Sequence, residues 1–375
     1  MNTGPSAAFC SSVLIVLSAW AFAADLQAVH ADQYVYCSIA GQQAIVHCLL
    51  TSEDGQLQQI SRTGTPGEPG ALIISGDGQF LYASMRSTGR LCSFRITRDT
   101  GALTLLNTID VGADPAHISI APGGRHLFSA YYAEGGVSVH AIADDGMLLD
   151  TGAQWISTEK KAHSIHADAT GRYVFVPHTG PNRIYRFLFD ADQGRLSVAE
   201  PQFLQRPENT GPRHLTWNPR VPIAYVDNEQ GSSVTAYEMT SSGELQALSD
   251  VTTLPQGIDL PPNSNSEVLI HPGGRWLYAA NRGHDSIALI SVDDRGRSLS
   301  FVKTYTTEKT PRSFCLTSDG QWLLAAGQAS GRLEVFRVDD ESGTLASVGV
   351  HRLGNRLWWV TSFPVSAAAT ATDHP

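Results

Sequence analysis

The chain has 375 residues, with 26 Lys or Arg against 36 Asp or Glu, and a formal charge of -10 at pH 7. Hydrophobic residues make up 42% and charged residues 17%, ample material for a core, which excludes global disorder. No basic run offsets the acidic balance, and nucleic acid is excluded as the main partner.

Residues 13–23 (VLIVLSAWAFA) are apolar but too few to span a bilayer, which takes about 20 residues. Ala21-Phe22-Ala23 is a small-residue cleavage pattern. A signal peptide is therefore expected over residues 1–23, with a mature chain starting near Ala24 and a periplasmic or secreted location. Residues 1–12 hold no Lys or Arg, so the α-amine alone supplies the positive end of such a leader. A mis-assigned start before a cytoplasmic protein is the alternative. No later segment is apolar enough to cross a membrane.

Once Cys10 leaves with the leader, four cysteines remain: Cys37, Cys48, Cys92 and Cys315. No C-x-x-C is formed, so zinc and thioredoxin-like chemistry have no support. Cys37 and Cys48 lie on adjacent segments that could face one another across a hairpin. A disulfide there is the alternative in an oxidising compartment, but buried free thiols are the expectation.

Self-similar units begin at Gly78, Gly124, Gly171, near Val221, and at Gly274 and Gly320, with an incomplete copy starting at Gln33. The clean steps are 46 residues from 78 to 124, 47 from 124 to 171 and 46 from 274 to 320. Each unit strings short β-rich runs between Gly, Asp and Asn turns, the pattern of a four-stranded propeller blade. No segment keeps a 3.6-residue apolar period over three turns, so helices should be few. Let strands A to D run outward from the centre. The first copy then has B, C and D but no A, while Leu357-Trp358-Trp359-Val360 near the C-terminus looks like a lone A. Six complete blades and one shared between the termini make a seven-bladed all-β propeller, a single domain over residues 24–364 with a loose tail over 365–375. Tyr34, Tyr82, Phe128, Tyr173, Tyr225 and Tyr278 recur at B positions and are expected to be core.

Alternating strand direction puts every D-to-A and B-to-C connection on one face. The A-to-B turns on the other face are short and stereotyped, whereas the D-to-A segments 111–117, 157–163, 206–214, 255–267 and 308–313 vary widely. Variable loops at one end of a rigid scaffold mark the functional face. Residues that open strand A or close strand B should line the channel there: His163, Arg213, His214, Glu267 and Arg312 from A, and Tyr132, His178, Asn228, Glu229, Asn281, Arg282 and Gln328 from B. So many charges are rarely buried without partners. A ring of structural salt bridges is the competing explanation.

The motifs Ala162-His163-Ser164, Gly211-Pro212-Arg213-His214, Val226-Asp227-Asn228-Glu229, Ala280-Asn281-Arg282, Thr310-Pro311-Arg312 and Ala325-Ala326-Gly327-Gln328 resemble, in order and spacing, those of the bacterial propeller-type 6-phosphogluconolactonases. That family is related to the fungal 3-carboxymuconate lactonizing enzymes, and the resemblance covers residues 33–363. It implies a lactonase whose active-site residues fall on His163, Arg213, Glu229 and Arg282. A sugar-phosphate lactone is the implied substrate, although an exported chain would depart from the family's cytoplasmic one.

These residue types suit lactone hydrolysis. His163 is the expected general base, with Glu229 as the alternative base or the group that orients an Arg. Arg213 or Arg282 would supply oxyanion donors. Arg312, Lys160 and Lys161 are candidates for a phosphate clamp, with His214, Glu267, Gln328 and Tyr132 completing the substrate contacts. No Gly-x-Ser-x-Gly elbow and no nucleotide loop occurs. His163 and His166 are joined by no carboxylate cluster, so neither a metal nor another cofactor is expected. A monomer would suffice. The remaining readings are a cyclase that forms a lactone from a carboxylated muconate and a non-catalytic exported binding propeller.

Overall fold

Each repeat becomes one antiparallel sheet because its apolar runs alternate with turns that only glycine or polar residues make easily. The computed structural model describes Met1, residues 31–257 and residues 261–365. The rest of the expected leader and the tail beyond Val365 lie outside the described residues. Val365 itself, read from the sequence as tail, donates its N–H to the Asp32 carbonyl and packs on the second seam.

Twenty-eight strands form seven four-stranded sheets, and a single 3-10 turn (Ala40–Gln42) is the only helix among the described residues. Blade 1 is closed as the repeats require. Its A strand, Leu357–Pro364, pairs with B (Gln33–Ile39), which pairs with C (Ala44–Leu50) and D (Leu57–Gly64). Blades 2 to 7 follow in chain order, their A strands being Pro69–Ile74, Pro115–Ile120, His166–Ala167, Pro212–Trp217, Ser264–Ile270 and Pro311–Leu316.

There is no single central core. The buried apolar residues fall into seven clusters, and each cluster joins two neighbouring blades. The B-strand aromatics named from the sequence are buried in these seams. Some also tie blades by hydrogen bonds: Tyr225 donates to the Gly296 carbonyl of the next blade, and Tyr278 to that of Gly343. Cys37, Cys48 and Cys315 sit together in the seam between blades 7 and 1, and all four described cysteines are free. Register explains why Cys37 and Cys48 do not bond: Cys48 lies opposite Val35, and Cys37 opposite Val46. Burial pushes the Cys48 and Cys315 thiols up to about 12, so they are inert packing groups.

At the A-to-B turns, glycine is a seam residue as well as a turn residue. Gly78 has φ of 70°, and a Cβ there would stand 2.2 Å from Phe363 Cε1 on the closing strand. Gly78→Ala should therefore destabilise the chain by roughly 2 kcal/mol, read from denaturant unfolding. Gly76→Ala, with nothing within 4 Å, is the control that should change little.

Ten described histidines have pKa values depressed, with burial the largest cause, among them His47, His166 and His178, each lowered to about 4. In the unfolded chain they would titrate near pH ~6.5. Below that pH the unfolded state binds more protons, so the histidine contribution to stability is complete above ~6.5 and is lost on acidification towards 4. Asp227, raised to about 6, and Glu267, also raised, act in the opposite sense but are two groups against ten. The thermal midpoint should fall steadily from pH 7 to 4.5; a level or rising midpoint contradicts this account.

Candidate active site

The channel mouth is built by one repeated backbone device. In six of the seven blades the register of A against B slips by one residue near the start of A. Such a bulge re-aims side chains at the end of a strand. The residues at the slip include Arg312, Trp358, and the Arg213–His214 pair. In blade 4 the A strand is reduced to His166–Ala167, shorter than the sequence reading, which began it at His163. His163 is held ahead of it by an isolated bridge from Ala162 to His178 and by its own N–H on the Pro177 carbonyl.

The structure brings His163, Arg213, Glu229 and Arg282 together from blades 4, 5 and 6. Glu229 bridges two guanidiniums, its Oε2 lying 3.3 Å from Arg213 Nε and its Oε1 3.0 Å from Arg282 Nη2. Arg282 also donates to the Asn265 carbonyl. Arg213 is only 1% exposed, yet its Nε and Nη1 have no aligned hydrogen-bond acceptor. Burial, then repulsion from Arg282, lowers its pKa to about 10, so it remains charged at neutral pH. A buried cation with open donors is costly to keep unless a ligand completes it.

His163 is buried, with the Tyr132 ring edge-on at 5.5 Å and the His214 ring at 5.1 Å. Its Nδ1 is buried without a partner. Burial first, then the charges of Arg213, Arg312, Arg86 and Arg282, holds its pKa well below the ordinary imidazole value. The ring is neutral at physiological pH, a weak base whose conjugate acid is strong.

Beneath this layer, His117, His166 and His214 place ligand-type atoms within 4.8 Å of one another, beside Trp359. The set does not fit a cation. The Ile165 N–H donates to His117 Nδ1, which leaves the neutral ring's proton on Nε2. His117 therefore offers no free lone pair to its two neighbours. Glu267, whose carboxyl is pushed well above the usual range by burial and Asp227, sets its Oε1 2.9 Å from His214 Nδ1 and accepts there from the Val268 N–H. Glu267 and His214, expected as substrate contacts, lie paired and buried in this inner layer.

Several sequence candidates lie elsewhere. Lys160 and Lys161 are exposed, and Lys161 adopts a left-handed backbone (φ 70°) with its side chain running along Gly180. Asn228, Asn281 and His178 staple loops: Asn228 to Ser233 and Thr235, Asn281 to Thr253 and Ser286, His178 to Thr158. Gln328 is half-buried and donates its backbone N–H to the Thr310 carbonyl. The sequence reading missed Arg86, Asp114, His117, Trp358 and Trp359. Arg86 follows the last residue of its B strand (Phe80–Met85), the register that had identified Tyr132 and Glu229.

The profile of the family described as lactonase, 7-bladed beta-propeller, matches residues 23–361. A protein of Klebsiella pneumoniae named 6-phosphogluconolactonase is 32% identical over 329 residues, 88% of this chain and 98% of that one. The protein of that name from an Enterobacter species is 30% identical with the same coverage. The structure of a periplasmic gluconolactonase of Pseudomonas aeruginosa superposes with a TM-score of 0.81 at 23% identity, covering 89% of this chain and all of that one, a likeness of fold. The chain belongs to the seven-bladed β-propeller lactonase family.

Proposed function

We propose that this protein hydrolyses 6-phospho-D-glucono-1,5-lactone to 6-phosphogluconate by general-base chemistry without a metal. The names of relatives about 30% identical over most of the chain support the substrate. The observation that carries the chemistry is the buried Arg213 guanidinium, its Nη1 without an acceptor, beside a neutral His163.

His163 takes a proton from water as the water oxygen bonds to the lactone carbonyl carbon. Arg213 and Arg282, held by the shared Glu229, donate to the carbonyl oxygen as it becomes an oxyanion. When the tetrahedral centre collapses, the ring C–O bond breaks. The imidazolium, strongly acidic among four arginines, returns its proton to the departing ring oxygen. The net change is addition of one water, and the acid formed ionises to a carboxylate.

This substrate implies a cytoplasmic role in the pentose phosphate pathway, whereas processing after Ala23 would export the chain. N-terminal sequencing of the mature protein decides between them.

His163→Gln and Arg213→Lys should each lower kcat at least ~100-fold while the protein stays folded. Full activity in either variant removes that residue from the mechanism, and unfolding assigns it a structural role. Because His163 must be neutral to act and its pKa is depressed, kcat/KM corrected for spontaneous opening should stay level from pH 8 down through ~6.5. An acid limb centred near pH ~6.5 would exclude His163 as the base. Activity should also survive a chelator, since His117 turns an N–H rather than a lone pair towards the inner histidines.

A further inference from the structure

We propose that Trp358 and the three guanidiniums gathered on its ring, Arg86, Arg312 and Arg356, form a separate anion subsite across the mouth from His163, which takes the phosphate of the lactone and sets the preference for a phosphorylated substrate. The inference rests on the lactonase reading and names the part of the pocket that reads the far end of the substrate.

Three cations share one indole. The guanidinium carbon of Arg312 lies 4.0 Å from the Trp358 ring centroid, that of Arg86 5.4 Å and that of Arg356 5.5 Å. Two of them are already neutralised. Arg86 makes a two-pronged pair with Asp114, at 2.7 and 2.5 Å, and Arg356 one with Glu68, at 2.8 and 3.1 Å. Arg312 has no ion pair among the described residues. Burial, then repulsion from Arg213, Arg282 and Arg86, drives its pKa well below the ordinary guanidinium value. The cluster therefore carries one uncompensated cation in a chain whose overall charge is -10.

The space beside it is open. A pocket of about 300 Å³ is lined by Arg86, Asp114, Arg356, Trp358, Glu68 and neighbouring residues. Larger cavities of about 670 and 600 Å³ lie towards the A-to-B turns and have no comparable convergence of guanidiniums. Arg312 does not line the first pocket but lies against the Trp358 ring that forms one of its walls. A phosphate dianion entering that pocket would take Arg86 and Arg356 as two-pronged donors in exchange for Asp114 and Glu68, with the Arg312 charge beside the shared indole. The ring of blades sets Trp358 in blade 1, Arg312 in blade 7 and Arg86 in blade 2, opposite the His163, Arg213 and Arg282 wall of blades 4 to 6. Arg312 and Arg86 are also among the charges bearing on His163, so the two walls are in electrostatic reach. A dianion between them relieves that field and makes His163 a better base, which would place part of the preference in kcat.

The test is kcat/KM on 6-phosphogluconolactone and on unphosphorylated gluconolactone, each corrected for spontaneous opening. It compares the wild type, Arg312→Gln and Arg356→Gln, with Arg352→Gln as an exposed control. Isothermal titration with inorganic phosphate accompanies it. The wild type should prefer the phosphorylated lactone, and Arg312→Gln should cut the ratio of the two kcat/KM values at least ~10-fold. Arg356→Gln should cut it less, and phosphate affinity should fall in parallel. Equal losses on both lactones overturn the subsite and leave the lactonase standing, as does a wild type that prefers the neutral lactone. A wild type inactive on both overturns the proposed reaction. In that case phosphate affinity lost in Arg312→Gln still supports the subsite, and its absence in the wild type removes it.

Discussion

The structure depends on the antiparallel ladder between Gln33–Ile39 and Leu357–Pro364, which joins segments more than three hundred residues apart. Every hydrophobic cluster is a seam between two blades, so each blade is incomplete alone and a ring of seven needs seven seams. Ordering so distant a contact costs loop entropy, but that cost grows only logarithmically with length. Closure converts two exposed sheet edges into a buried seam and removes the sites at which further strands would add. The same ladder delivers Trp358 and Trp359 to the channel, so the pocket has its wall only when the ring is shut.

Around the axis, the fold concentrates groups that a globular core would reject. Arg213 is almost wholly buried and shares Glu229 with Arg282, Arg86 pairs with Asp114, and Arg312 stands near them without a carboxylate of its own. A propeller tolerates this because its stability is generated in the peripheral seams, away from the axis. The register slips then put neighbouring residues of one strand to use at the axis: Arg213 reaches the mouth while His214 joins the inner histidine layer. Charge above and neutral imidazoles below divide the channel into a polar mouth and a hydrogen-bonded plug.

Much of this was readable in the amino-acid sequence because repetition is a strong signal. The 46-residue spacing, the missing first A strand and the surplus A strand at the end specify seven blades and their closure. The gathering of His163, Arg213, Glu229 and Arg282 followed from strand order. What strand order does not carry is side-chain direction at a strand end. Asn228 and Glu229 are adjacent, as are Asn281 and Arg282, yet in each pair the first staples a loop and the second enters the mouth. A register slip is a hydrogen-bonding event with no residue signature in a single chain, so Trp358 read as an ordinary apolar strand residue. Nor does strand order carry a backbone reversal such as the left-handed Lys161, whose side chain runs along Gly180.

The closing ladder has one more consequence. Blade 1 lacks an A-to-B turn, and in its place stand the two described ends of the propeller, Asp32 and Val365, joined by a hydrogen bond. That position lies on the face opposite the mouth. Both described ends of the propeller thus stand on the blind side of the ring, so the closing ladder keeps these two ends away from the pocket.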